Sequence, residues 1–224
     1  MLIVIEGTDC SGKETQTKLL VEKLKNEGKK VIRFSFPMYD TPTGKIVGGP
    51  YLGKDYICDG WFDEGATNVD YRVASLYYAA DRVYNIKKIT DKLRDGYDVI
   101  LDRYIYSNMA HQGAKIDSYS DRISLYKWLD KLEFDLLELP EPDIKIFLHM
   151  PTEYSIQLRN NREEKADQHE MDFNHLYNAE NAYLEIANLY DFSTIECVDN
   201  KQIRSIEDIN NEVYDIVKIK NLTK

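Results

Sequence analysis

A strand, a glycine turn and a helix follow one another in the first 26 residues, and that order constrains what the chain can become. Leu2-Ile3-Val4-Ile5 is a short apolar, β-branched run of the kind that sits inside a sheet. Gly7 to Gly12 reads G-T-D-C-S-G, Lys13 follows, and Glu14 to Asn26 has the periodicity of an amphipathic helix. A G-x-x-x-x-G-K turn between strand and helix is a phosphate-binding loop. Successive backbone N–H groups turn inward to form an anion nest, and the helix dipole behind them favours negative charge. Lys13 adds a full positive charge that reaches the outer phosphates. The ligand class is a nucleoside triphosphate, cradled by Gly7, Thr8, Cys10, Ser11, Gly12, Lys13, Glu14 and Thr15. One position departs from the pattern. Glu14 stands where a Ser or Thr hydroxyl would bind Mg²⁺, and Thr15 comes one place later. Either Thr15 takes over, or phosphates, water and carboxylates hold the metal.

The rest of the chain alternates between the same two kinds of element. Strand-like runs recur at 30–35, 98–102, 144–150 and, more weakly, 193–198. Helical stretches lie between them at about 14–27, 70–95, 105–115, 121–137, 152–162, 172–190 and 204–220. Alternation of this kind predicts an α/β fold with a mostly parallel sheet and helices on both faces, its ligands bound at the carboxyl ends of the strands. At 224 residues, without a Pro/Gly/Ser-rich divider, the expectation is one domain over 1–224. A net charge of −10 argues against a nucleic-acid partner, so an acidic chain that handles phosphates must gather its few cations at one place. No apolar run reaches the roughly 20 residues that cross a bilayer, so no membrane partner is expected. The start runs straight into a strand, leaving no room for a signal peptide. Three scattered cysteines point to a reducing, cytoplasmic setting and away from a disulfide framework or zinc site.

Other local patterns gather at the strand ends. Asp102-Arg103-Tyr104 closes the third strand: the carboxylate suits Mg²⁺ or its waters, and the arginine suits two-toothed phosphate binding. Phe36-Pro37-Met38-Tyr39 follows the second strand, where Pro37 stiffens a positioning loop. Tyr78 and Arg82 are four apart on one helix face, an aromatic ring beside a guanidinium, able to stack on and bond a planar base. Residues 40–68 are the least regular part, and 159–172 is almost wholly polar, fit for a lid.

Four segments in order, G-T-D-C-S-G-K-E-T-Q, F-P-M-Y, L-Y-Y-A-A-D-R and D-R-Y-I-Y-S-N-M-A-H-Q-G-A-K, resemble the thymidylate kinases, and the likeness runs from Leu2 to about Asp208. The resemblance implies a three-layer P-loop NTPase fold of the nucleoside monophosphate kinase kind, with a five-stranded parallel sheet and a lid. It implies ATP as phosphate donor with Mg²⁺, dTMP as acceptor, dTDP as product, and a homodimer. By position it implies Lys13 and the amides of 10–15 on the donor phosphates, and Asp9 at the acceptor's 3′-hydroxyl and phosphate. It puts Phe36, Pro37 and Tyr39 in the acceptor loop, Arg103 on the acceptor phosphate, Tyr78 stacked on thymine and Arg82 at its O4 edge. Asn108 and Gln112 fall where further base contacts lie, and Arg159 where an arginine packs on adenine. Asp102, with Thr15, is the expected metal side of the site. Many members carry an arginine at the position of Cys10; others have a small residue there and supply the cation from the lid, which here would be Arg162 or Lys165. The arginine that several members have near Tyr39 is missing, which shifts acceptor-phosphate binding onto Arg103. Three other readings stay open on sequence alone, one of them a general phosphate-loop ATPase acting on a partner protein, which would hydrolyse ATP without any nucleotide acceptor. A deoxynucleoside kinase of the same architecture would want a carboxylate base where Phe36-Pro37-Met38-Tyr39 stands. A non-catalytic nucleotide-binding protein would account for Glu14.

Overall fold

The structure is a computed structural model that describes residues 1–159, 169 and 172–222. Its elements in chain order are β1 (Leu2–Gly7), α1 (Lys13–Asn26), β2 (Val31–Ser35), α2 (Pro42–Ile46), α3 (Tyr71–Arg94), β3 (Asp98–Asp102), α4 (Ile105–Gly113), α5 (Tyr119–Asp130), β4 (Ile144–His149), α6 (Thr152–Arg159), α7 (Phe173–Leu189), β5 (Ser193–Glu196), β6 (Val198–Asp199), β7 (Gln202–Ile203) and α8 (Ile206–Leu222). Five strands form one parallel sheet in the order β2-β3-β1-β4-β5. This is the expected three-layer α/β architecture of P-loop nucleotide kinases.

β1 is central and every residue of it is buried, which is why its sequence is continuously apolar rather than alternating. Alternation still decides the layers. Leu2, Val4, Val99, Leu101 and Phe147 point to the face covered by α4 and α7. Ile3, Ile5, Ile100, Ile146 and Leu148 point to the face covered by α1 and α8. Glu6 continues the even-numbered side of β1, so its carboxylate is buried beneath α4 and α7. Pairing of Ile5 with Asp102, Gly7 with Leu148 and Ser35 with Asp102 aligns the carboxyl ends at one edge.

Three departures from the expected elements have local causes. The strand expected to reach Val198 stops at Glu196, and Val198–Asp199 instead pairs antiparallel with Gln202–Ile203. Asn200 and Lys201 both take positive φ (48° and 62°), the two-residue turn that suits a hairpin. The irregular 40–68 stretch contains α2, whose start is set by Thr41 as cap and Pro42 in the first turn, and a π-helical turn over Val47–Tyr51. The helix expected over 121–137 is α-helical to Asp130 and then widens into a π-helical turn, Lys131–Leu136.

That widened turn directs Glu133 into the interior, where it is fully buried and pairs through both oxygens with Arg82 of α3, itself 2% exposed. The pair ties α3 to the π-helical turn that follows α5. Glu133→Ala should destabilise the fold by about 3–5 kcal/mol, because it strands a buried guanidinium. The double change Arg82→Met with Glu133→Leu should recover most of that loss. Urea unfolding of the three proteins measures both.

Candidate active site

The phosphate loop is shaped by close approach. Gly7 lies so near the opposite strand that a Cβ there would meet the Leu148 carbonyl at 2.7 Å and Ser11 Oγ at 2.6 Å. Cys10 (φ 58°) and Gly12 (φ 83°) take the left-handed conformation that turns the loop back on itself. No side chain caps the start of α1 at Gly12, so the helix meets the cavity with its positive end open. Lys13 is buried and its Nζ donates to the Thr8 carbonyl at 2.5 Å and to Ser11 Oγ at 3.3 Å. Burial, helped by the neighbouring Arg103 charge, pushes the Lys13 ammonium down to about 8 against the opposing pull of Asp9, Asp102 and Glu6.

Two cavities open beside this loop. One is lined by Asp9 to Gln16, Lys54, Asp102, Arg103 and Arg204. The other is lined by Phe36, Pro37, Tyr39, Tyr78, Arg82 and Asn108. Asp9, Arg103, Phe36, Pro37 and Tyr39 line both, so the two are halves of one cleft.

Arg103 stands at their junction. It follows the last residue of β3 with φ 67°, a conformation that turns its side chain back across the strand ends. One side of its guanidinium pairs with Asp9. Nη1 donates to the Gly7 carbonyl at 3.2 Å, to Ser107 Oγ at 3.2 Å and to Tyr183 Oη at 3.0 Å. Beneath them lies Glu6. Its Oε1 accepts from the Tyr104 N–H at 2.7 Å and the Ser107 N–H at 3.2 Å, and its Oε2 accepts from Ser107 Oγ at 2.5 Å. Burial raises the Glu6 carboxyl above its ordinary range, with Ser107 and Arg103 pulling the other way. Burial alone would also raise Asp9, but Arg103, with help from Lys13, holds it well below the usual carboxylate range. The site therefore keeps ionised Asp9 and charged Arg103 as a fixed pair where the two cavities meet.

The expected base-reading residues separate. Tyr78, Arg82 and Asn108 line the second cavity. Arg82 reaches it while committed to Glu133, and Asn108 Nδ2 donates to the same Glu133 at 3.2 Å and to the Ser75 carbonyl at 3.2 Å. Gln112 is fully buried outside that lining, and neither atom of its amide has a hydrogen-bond partner among the described residues. Arg159 closes α6, next to Leu158 of the first cavity's wall. Arg162 and Lys165, the expected lid cations, and most of the 159–172 segment lie outside the described residues.

Asp102 and Thr15 both line the first cavity, so a carboxylate and a hydroxyl lie on its wall beside the phosphate loop. Arg33 of β2 also holds Asp102, donating to its Oδ2, and bonds Thr17 Oγ1 at 2.7 Å. Glu14 is exposed and pairs with Lys18 one helical turn on. A carboxylate at the strand end with a hydroxyl nearby fits a hard, oxygen-seeking dication such as Mg²⁺.

Several of these residues give little sign of themselves in the sequence. Glu6 was missed, although an acid directly after the apolar run Leu2–Ile5 is a signal that could have found it. Arg33, Ser107 and Tyr183 carry no such signal, because only the sheet register and the crossing of α4 and α7 bring them to the strand ends. Lys54, from the irregular loop, lies over the Tyr39 ring at 5.3 Å and adds a cation to the first cavity.

Residues 5–210 match the sequence pattern of the family described as thymidylate kinase. A probable thymidylate kinase of Pyrococcus abyssi is 32% identical over 221 residues, covering 96% of this chain and 95% of that one. The thymidylate kinase of Schizosaccharomyces pombe is 29% identical over 222 residues, covering 99% and 93%. The solved thymidylate kinase of Candida albicans superimposes with a TM-score of 0.72 at 28% identity, covering 98% of this chain and 92% of that one. The chain belongs to the thymidylate kinase family, phosphotransferases that use ATP to convert dTMP to dTDP.

Proposed function

We propose that the two halves of the cleft hold the two substrates of this reaction, ATP on the phosphate loop and dTMP against Tyr78 and Arg82. The observation that carries the reading is the shared wall: Asp9 and Arg103 belong to both cavities, so a phosphoryl group passing between them does so beside one guanidinium. Phosphoryl transfer asks the protein for in-line positioning and charge neutralisation rather than covalent chemistry. The acceptor is a phosphate oxygen already ionised at neutral pH, so no strong general base is needed. Lys13 and the loop amides hold the β- and γ-phosphates. Arg103 holds the acceptor phosphate, with its orientation fixed by Asp9, the Gly7 carbonyl and Tyr183. Tyr78 stacks on thymine, Arg82 and Asn108 face its edge, and Phe36, Pro37 and Tyr39 close the acceptor side. Gln112 takes part from behind that wall, and Arg159 meets the adenine end. Mg²⁺, when bound, would be held by Asp102 with Thr15 and supply charge neutralisation at the donor phosphates. Arg162 is our choice of lid cation, since Cys10 brings no charge to the loop.

We place the whole chain, 1–224, in one such domain, working in the cytoplasm. The three cysteines are free thiols, and among the described residues no helix is long and apolar enough to cross a membrane. We also propose a homodimer built on α3. Val73, Leu76, Val83 and Tyr84 lie along one side of that helix and are 42%, 51%, 39% and 57% exposed, while Ala74, Ser75, Ala79 and Asn85 on the other side are buried. An exposed apolar stripe at helical spacing fits a second copy of the same helix.

A coupled ADP-release assay across dTMP, dUMP, dCMP, AMP and thymidine should show phosphorylation of dTMP and none of thymidine; turnover with thymidine alone would overturn the acceptor assignment. Lys13→Ala should lower kcat by orders of magnitude with the far-ultraviolet spectrum unchanged. Arg103→Ala should lose about 100-fold or more in rate even at saturating dTMP, the scale of one lost transition-state donor.

Lys13 also sets a pH dependence. In the nucleotide-free protein its ammonium titrates at about 8, and bound phosphates raise that value. Donor affinity is then full below about pH 8 and falls as the pH rises past it towards the bound-state value. Titration calorimetry with a non-hydrolysable ATP analogue at several pH values reads this as proton uptake on binding above that point. For the dimer, Leu76→Glu should shift the sedimentation coefficient to that of a monomer.

A further inference from the structure

Three of the chain's four histidines meet at one point. His111 comes from α4, His175 from the first turn of α7, and His169 from the chain just ahead of it. All three are buried, at 8%, 5% and 3% exposure. One ring nitrogen of each lies within 4.8 Å of the other two. His111 Nδ1 and His175 Nε2 are 3.3 Å apart. That is the edge length of a tetrahedron of nitrogens around a cation bound at about 2.0–2.1 Å.

The surroundings orient the ring of His169. The Tyr51 hydroxyl gives its one hydrogen to the Ala66 carbonyl at 3.1 Å, so its oxygen accepts from Lys115 Nζ at 3.2 Å and from His169 Nε2 at 3.1 Å. His169 is then the Nε2–H tautomer and carries its lone pair on Nδ1. An imidazole whose second nitrogen is bonded away is the usual state of a metal-ligating histidine. The three rings are also neutral, the form that binds metal. Burial pushes His169 and His175 down to about 3 and His111 well below its ordinary range. Asp9 and Asp172 face the cluster and favour a cation there; Arg103 and Lys115 oppose it, and burial lowers Lys115 itself to about 8.

We propose that His111, His169 and His175 form a binding site for a transition-metal dication of the Zn²⁺ class. Three imidazole nitrogens select borderline metals and not Mg²⁺, which takes oxygen ligands, so this site is separate from the donor-phosphate metal. His111 and His169 also line the acceptor cavity, so the fourth ligand position opens there to water or to an oxygen of the acceptor. Without metal, His111 and His175 share one proton along their hydrogen bond. When the cation binds, that proton leaves the facing nitrogen and the same imidazole takes one on its far nitrogen, so no net proton is released. The sequence pointed away from a zinc site only on its cysteines; His169 and His175 lie six residues apart, but His111 comes from a distant segment.

The test uses the nucleotide-free full chain and Co²⁺ alone as probe, and so does not depend on kinase turnover. The expected result is the intense visible absorption of four-coordinate cobalt, saturating at one ion per chain and displaced by Zn²⁺. His175→Gln should lose it with the far-ultraviolet spectrum retained, and His111→Gln serves the same purpose should the first variant not fold. Zn²⁺ should raise the Tm of the wild-type chain and not of the variant. Only the weak spectrum of six-coordinate cobalt in the wild type, or an intense one that survives loss of a histidine, would overturn the site.

Discussion

One half-buried cation, Arg103, organises the carboxyl edge of the sheet. It sits where the two cavities of the cleft join and lines both of them. Its charge is kept there by Asp9 on one side and by a polar floor of Ser107, Tyr183 and the Gly7 carbonyl on the other. An arginine held this firmly does not reorganise as charge moves from one phosphate to another, and fixed dipoles and charges are where most of the stabilisation in such reactions comes from. The left-handed backbone at Arg103 puts the guanidinium back over the strand ends instead of out into solvent.

Glu6 shows how the sheet itself contributes. A carboxylate in the middle strand of a parallel sheet is costly to bury unless it is bonded. Here its two oxygens take the N–H groups of Tyr104 and Ser107 and the Ser107 hydroxyl. It therefore pins the turn between β3 and α4, the same turn that carries Arg103. The buried Arg82–Glu133 pair does the equivalent at the wall of the second cavity, where a π-helical turn brings the acid inward. Both arrangements are polar constructions inside an apolar layer, and each fixes a side chain that lines the cleft.

Much of this was readable from residues alone. The phosphate loop is a local structure, with its strand, glycines, lysine and helix all within one short segment, so the sequence names it outright. The five strands and their parallel order follow from apolar runs alternating with helical periods. Asp102-Arg103 at a strand end and Tyr78 with Arg82 on one helix face are also local spacings, and the structure brings them to the same cleft. Helix ends and the 193–198 strand were less well placed, because a π-helical turn and a hairpin of two positive-φ residues leave no periodic trace.

What the sequence determined by itself is the ligand class and the layer architecture, since backbone geometry over a few residues is enough to make an anion nest and to alternate the faces of a strand. Tertiary structure alone decided the partners. Arg33 on Asp102, Tyr183 and Ser107 on Arg103, Glu133 on Arg82, and His111 with His169 and His175 all meet only because sheet register and helix crossing set which distant side chains share a point. A one-dimensional pattern carries periodicity, but not the rotation and depth at which one element lies against another.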